Sequence, residues 1–363
     1  MKDWRHLRKG TLKVVILGGR YCGKTTMLAR MRRAFNDMFC SELYEVQGFR
    51  LLISDGRASL CAAENRIYDL FGKEHLDKHF VIDEVCPSII NTYRFELHSS
   101  NVKEHITLEF VEIPAVWCEN NREFVLEELS KATAIIVAID TPSLYEEKGR
   151  YSQQNNNIDV ITNMITTSIC NDNSNIDNPS HKLILFAPLK CEKEIILDDG
   201  TADVKGMERV NEKVREHYRE LIGGMCYGEC RSRITMAILP VSTIKEIEWC
   251  GFVDDKDCSP VHSYFQFRPN LRQKVLKEKP CHEFCEQPLV YILVHAMELA
   301  KSWHREKYRP WMQYLIDPRG IPIGRLAHSF IGNKPLQEMI TWLKQNRLNR
   351  SYGFELLQNP LCI

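Results

Sequence analysis

The sequence predicts an α/β protein: a three-layer sandwich with helices on both faces of a mainly parallel sheet, followed by a small, mostly helical C-terminal appendage. Three observations predict it. Short apolar runs recur at 13–17 (KVVIL), 107–113, 134–139, 183–187 and 234–241; the first does not alternate with polar residues, as expected of a strand buried on both faces. Helical stretches separate them. The clearest places Val204, Met207, Val210, Val214, Tyr218 and Leu221 on one apolar stripe, because spacings of three and four residues return to the same helix face. A glycine-rich loop leaves the first strand and runs into a helix at 25–36, the strand–loop–helix order of a phosphate-binding turn.

Taken in chain order, three segments interrupt the alternation. Residues 41–87 form an insertion with a strand-like piece at 49–53, a turn at Asp55-Gly56 and a helix-like piece at 58–70. The polar stretch 171–180, rich in Asn, Asp and Ser, reads as a loop. A second insertion at 249–288, irregular and rich in Cys, Asp and Pro, precedes a long helix at 289–305 that closes the first domain, residues 1–305. Residues 306–363 form the expected appendage. From Lys307 onward eight Lys and Arg face three acids, a local charge of +5, and the clearest element is a helix started by Pro335 with Leu336, Met339, Ile340 and Leu343 on one face.

The 363 residues carry 48 basic and 48 acidic side chains, so no overall field draws the molecule to nucleic acid or anionic lipid. With 44% hydrophobic and 26% charged residues, the chain has the composition of a globular protein and not of a disordered one. The basic start, 1–13, lacks the apolar stretch of a secretion signal. No apolar run approaches the ~20 residues that span a bilayer, so the expected location is the cytosol. There the 14 cysteines are expected as free thiols.

The phosphate loop is Gly18-Gly19-Arg20-Tyr21-Cys22-Gly23-Lys24-Thr25, a match to G-x-x-x-x-G-K-[ST]. Chance would supply its four fixed positions in roughly one chain of this length in a hundred. Gly18 and Gly23 permit the tight turn, and the backbone of Arg20, Tyr21, Cys22 and Thr26 lines it. Lys24 is placed to neutralise the β and γ phosphates, and the Thr25 hydroxyl to hold Mg²⁺.

The later motifs follow the strand ends. Pro87-Ser88-Ile89-Ile90-Asn91-Thr92-Tyr93-Arg94 precedes a strand and looks like the first switch segment of Ras-like GTPases, with Ser88 at the Mg²⁺-binding position. Glu112-Ile113-Pro114-Ala115 stands where such GTPases carry Asp-x-x-Gly, so Glu112 becomes the candidate catalytic and metal acid. Its side chain is one methylene longer, Ala115 replaces the glycine, and Val116 and Trp117 occupy the place of a water-orienting glutamine. Slow or partner-dependent hydrolysis is the expectation. Asp140, ending the 134–139 run, is a rival Mg²⁺ ligand. Leu189-Lys190-Cys191-Glu192 lies where GTPases carry Asn-Lys-x-Asp: Glu192 would accept hydrogen bonds from guanine and Lys190 would pack over the base. Val241-Ser242-Thr243 resembles the loop that contacts the guanine oxygen.

Over residues 11–305 this series resembles the Ras-like P-loop GTPases, and among them the bacterial double-GTPase (DO-GTPase-like) family of multi-gene conflict and defence systems. The resemblance implies GTP and Mg²⁺ as ligands, ATP being the less favoured nucleotide, and a nucleotide-controlled switch in antiviral defence. It implies other proteins of such a system as partners. A hydrolysis-deficient nucleotide-binding scaffold and a P-loop ATPase are the alternatives.

Two further features compete for a role. Cys226-x-x-x-Cys230 and Cys281-His282-x-x-Cys285 offer zinc ligands, with Cys250 and Cys258 between, but the three-residue spacing is not that of common zinc sites and buried reduced cysteine is the preferred reading. The basic aromatic tail offers stacking and phosphate contacts to nucleic acid. Its aromatics are interleaved with aliphatic residues, which favours a small core or a protein-docking patch instead.

Overall fold

The computed structural model describes residues 11–40, 49–71, 78–82, 89–99, 102–146, 151–173, 181–252, 262–271, 280–307, 334–346, 348, 353–361 and 363. Its strands are β1 (Thr11–Gly18), β2 (Phe49–Asp55), β3 (Phe80–Val81), β4 (Asn91–Ser99), β5 (Val102–Glu112), β6 (Ala134–Asp140), β7 (Lys182–Leu189), β8 (Ile234–Ile238), β9 (Ile247–Phe252), β10 (Ser263–Phe267) and β11 (Glu355–Gln358). Eight of them form one sheet in the order β11-β8-β7-β6-β1-β5-β4-β2. The five central strands, β8 to β5, run parallel. The flanking strands β11, β4 and β2 pair antiparallel.

The two-sided burial of β1 shows why its sequence does not alternate. Leu12, Val14 and Ile16 enter the core on one face, and Val15 and Leu17 enter the core on the other. Each such side chain gains about 1.5–3 kcal/mol on burial. The helices Lys24–Cys40, Arg57–Leu70 and Gln287–Lys307 contribute to the first core, and Arg122–Lys131 and Ile158–Asn173 to the second. The result is the expected three-layer α/β sandwich. The predicted stripe from Val204 to Leu221 is divided at Tyr218 into helices Val204–His217 and Arg219–Tyr227, and its first member, Val204, is exposed.

The described parts of the insertions and the tail pack onto this body. Residues 49–70 form the expected strand and helix, and β2 takes the edge of the main sheet beside β4. β3 from the first insertion pairs with β10 from the second, and β10 pairs with β9, giving a separate three-stranded sheet. In the tail, the helix Lys334–Asn346 buries Leu336, Met339, Ile340 and Leu343 in the first core, and β11 extends the main sheet at β8. Of the expected polar loop 171–180, residues 171–173 end a helix and 174–180 lie outside the described residues. No helix among the described residues is long and apolar enough to cross a membrane.

Candidate functional site

The carboxyl ends of β1, β5, β6 and β7 lie along one edge of the parallel sheet, and the chain leaves them at Gly18, Glu112, Asp140 and Leu189. Ligands of open α/β sheets bind in the crevice outside such ends. Topology therefore gathers the candidate residues before any side chain is considered.

At the phosphate end the loop turns through Tyr21 (φ 55°) and Gly23 (φ 95°) and enters the helix at Lys24. Met27 N–H bonds to Gly23 O at 2.9 Å and closes the first helical turn. The preceding amides point into the loop, where the positive helix end favours an anion. Lys24 is buried, and its Nζ donates to Gly18 O at 3.1 Å and Gly19 O at 2.7 Å, so the ammonium is held in the loop itself. A Cβ at Gly19 would lie 1.4 Å from Asn155 O, so the second glycine is required by the 151–157 segment packed behind the loop.

Thr25 Oγ1 lies 3.0 Å from both Glu112 carboxylate oxygens. The two candidate metal ligands thus meet although 87 residues separate them. A hydroxyl and a carboxylate suit Mg²⁺, which prefers hard oxygen donors and commonly takes one or two carboxylates together with substrate phosphates. Among the described residues no group of three or more His, Cys, Asp or Glu could hold a metal ion, so a cation here would draw on nucleotide oxygens as well. Ser88, the third expected ligand, lies outside the described residues. Asp140, the rival acid, is buried and paired with Lys190 at 3.1 Å, and it accepts a hydrogen bond from Ser143.

At the base end, Lys190 (φ 57°) reaches back to donate to Tyr21 O, and its Nζ lies 6.0 Å above the Phe265 ring. This lysine ties the phosphate loop to the β7 loop. Glu192 is buried, and its Oε1 accepts from Thr243 N–H at 2.9 Å and Ile244 N–H at 3.4 Å. Burial pushes its carboxyl above the usual range, while those amides and the Arg268 guanidinium oppose the shift. Arg268 also donates to Glu192 O at 2.7 Å.

A pocket between the phosphate loop and the β7 loop is lined by Cys22, Gly23, Thr26, Lys190, Glu192 and Thr243. Its remaining wall combines Leu189 and Ile244 with Arg66 and Ile67 on the insertion helix Arg57–Leu70 and Ile247 and Phe265 on the small sheet. Ser242 is placed differently. It is fully buried behind the pocket, its backbone paired with Glu283 and its carbonyl accepting from Cys285 Sγ at 3.1 Å. Arg20 is half-buried on the loop. The second insertion also reaches the phosphate loop, where the His262 ring lies 4.4 Å from that of Tyr21.

The wall residues were not anticipated. Ser263, Phe265 and Phe267 are buried and alternate with half-buried Tyr264 and Gln266, and this period of two was the available signal for β10. Tyr93 and Ser59, described below, had no such signal. The cysteine pairs are divided between layers: Cys230 belongs to the second core and Cys285 to the first, on opposite faces of the sheet.

No protein-family model and no curated protein matches the chain. Among solved structures, the chain is similar to the S. cerevisiae Ski7 GTPase-like domain bound to GTP, at 11% identity and a TM-score of 0.33, over 66% of this chain and 45% of that one. It is also similar to Methanosarcina barkeri Roco2 RocCORdC bound to GDP, at 13% identity and a TM-score of 0.27, over 80% of this chain and 56% of that one. The matches span about half the length of these structures.

Proposed function

We propose that the chain binds GTP with Mg²⁺ and acts as a nucleotide-controlled switch with slow or partner-dependent hydrolysis. One observation carries this reading: the glycine loop with Lys24, the Thr25–Glu112 pair and the Lys190–Glu192 loop converge on one sheet edge. The loop amides and Lys24 would bind the phosphates. Thr25 and Glu112 would hold the Mg²⁺, which supplies neutralisation of phosphate charge. Glu192 would meet the ring N–H and amino group of guanine, groups that adenine does not present in the same pattern. The antiviral-defence setting and the protein partners implied by the family resemblance are part of the same proposal.

Slow turnover follows from what comes after Glu112. The side chains of Val116 and Trp117 offer no acid, base or amide to orient a water, and the Trp117 ring meets Phe124 edge-on with centroids 5.6 Å apart. A partner would supply the missing group. A second reading, a binder without turnover, is favoured by Ala115. It is buried as the first residue of the helix Ala115–Asn120 with Pro114 as N-cap, so this segment is held where a glycine would leave it free to rearrange.

Competition binding to the full chain with GTP and ATP tests the nucleotide. GTP is expected to displace a fluorescent guanine nucleotide at least about tenfold more effectively than ATP. Preference for ATP would instead support the ATPase alternative. Single-turnover hydrolysis with and without candidate partner proteins separates the two guanine readings: product only with a partner supports the switch, and none under any condition supports the scaffold.

A further inference from the structure

We propose that Tyr93 is a positioning residue that fixes the Glu112 carboxylate and links it to the start of the insertion helix Arg57–Leu70, so that metal-bound nucleotide is felt by that helix. The inference rests on the nucleotide-binding reading and extends it to residues outside the loop motifs.

Strand register brings Tyr93 to Glu112. In the β4–β5 pair Asn91 stands opposite Glu112, so Tyr93, two residues along, is its diagonal neighbour on the same face. The tyrosine is long enough to span that diagonal: its hydroxyl donates to Glu112 Oε2 at 3.0 Å. Burial and the Glu112 charge hold the phenol protonated, well above its usual range. Ser59 Oγ lies 3.2 Å from the same hydroxyl, which completes a chain Thr25–Glu112–Tyr93–Ser59 from the phosphate-loop helix to the insertion helix.

The insertion helix is also seated on the tyrosine ring. Gly56, at φ 76°, is its N-cap, and a Cβ there would lie 2.5 Å from Tyr93 Cδ1. The same helix is held against the phosphate-loop helix by the Arg32–Glu64 ion pair at 3.3 Å and the hydrogen bond from Arg33 to Tyr68. It therefore meets the nucleotide site at its start through Tyr93 and further along through Arg66 and Ile67 in the pocket wall.

Tyr93 gives the Glu112 carboxylate a second donor beside Thr25. A Thr25 oxygen that coordinates a cation through a lone pair turns its proton away from the cation and can still donate to Glu112. A carboxylate has about four lone-pair sites, so Glu112 can meet the cation and still accept from Tyr93. The extra methylene of glutamate over aspartate extends the carboxylate toward this second donor.

The test uses the full chain and Tyr93→Phe, which keeps the ring on Gly56 and removes only the hydroxyl. Binding of a fluorescent GDP is titrated with Mg²⁺, and hydrogen exchange is followed over residues 56–60. The variant is expected to need about tenfold more Mg²⁺, the effect of losing one hydrogen bond to a charged group, while its affinity in EDTA stays within about twofold of the parent. Mg²⁺ should slow exchange at 56–60 in the parent and have little effect there in the variant. Ser59→Ala is expected to keep the parent's Mg²⁺ requirement and lose the exchange response. If the parent binds Mg²⁺–nucleotide and Tyr93→Phe matches it in both measurements, the inference is overturned and the site reading stands. If the parent binds no guanine nucleotide, the site reading falls and takes the inference with it.

Discussion

The phosphate end and the base end of the pocket are built in different ways. The phosphate end consists of elements intrinsic to the sandwich: the β1 loop, the helix it enters and the last residue of β5. Its geometry is set by backbone amides, glycine torsions and a strand end, all fixed by topology. The base end borrows part of its wall from two insertions far apart in the sequence, which meet in the β3–β10–β9 sheet and the small core around Ile67, Phe80, Ile247 and Phe265. Binding chemistry carried by the backbone is local in sequence, whereas a shaped apolar wall needs side chains from wherever the fold brings them.

This contrast predicts unequal effects of substitution. Lys24→Ala is expected to give the largest, a loss of about a hundredfold or more in GTP affinity, since it removes charge-assisted contacts to phosphate. The chain should remain folded by circular dichroism. Retained affinity in the folded variant would break the phosphate assignment.

Gly19→Ala should act on stability, because the added Cβ meets the rigid backbone at Asn155. A loss near the upper end of the usual overpacking range, about 3 kcal/mol, is expected in denaturant melts. An unchanged midpoint would show that the 151–157 segment does not brace the loop. Glu192→Ala should reduce GTP affinity by about thirtyfold and leave ATP binding nearly unaltered, collapsing the preference between them. Equal losses for both nucleotides would mean that Glu192 only braces the Thr243–Ile244 backbone.

The smallest effect lies outside both ends. His295, in the helix Gln287–Lys307, is fully buried, both its ring nitrogens lack hydrogen-bond partners among the described residues, and burial with nearby His181 depresses its pKa to about 3. The unfolded chain binds a proton near pH 6.5 and the folded chain does not, so this contribution is intact above that pH and is lost as pH falls toward 3. Lowering pH from about 8 to about 5.5 should cost on the order of 1 kcal/mol through this group. His295→Leu should remove that share of the acid sensitivity, and an identical pH dependence in the variant would refute the assignment.

Much of the fold was legible. The central strands announced themselves as short apolar-rich runs because both their faces are buried, although β5 also carries Glu109 and Glu112, and 49–53, 58–70 and 289–305 carried clear strand and helix patterns. Helix Lys334–Asn346 was legible as an amphipathic element, but its partner was not, since a stripe of Leu336, Met339, Ile340 and Leu343 does not say which core it joins. β3 has two residues and β11 four, too few to establish a period. In the candidate site, Lys24 and Thr25 were legible from the glycine-loop motif, and Glu112, Lys190 and Glu192 from the likeness of their segments to GTPase motifs. Phe265, Ile67 and Tyr93 were not, because a pocket wall and a diagonal cross-strand contact depend on register and on tertiary packing.

The most direct measurement is a crystal structure of the full chain with a non-hydrolysable GTP analogue and Mg²⁺. The triphosphate should lie in the Gly18–Thr25 loop, with Lys24 Nζ on the β and γ oxygens, the cation between Thr25 and Glu112, and the guanine edge against Glu192. A triphosphate bound elsewhere, or a loop that admits no phosphate because the segment around Asn155 fills it, would contradict the account.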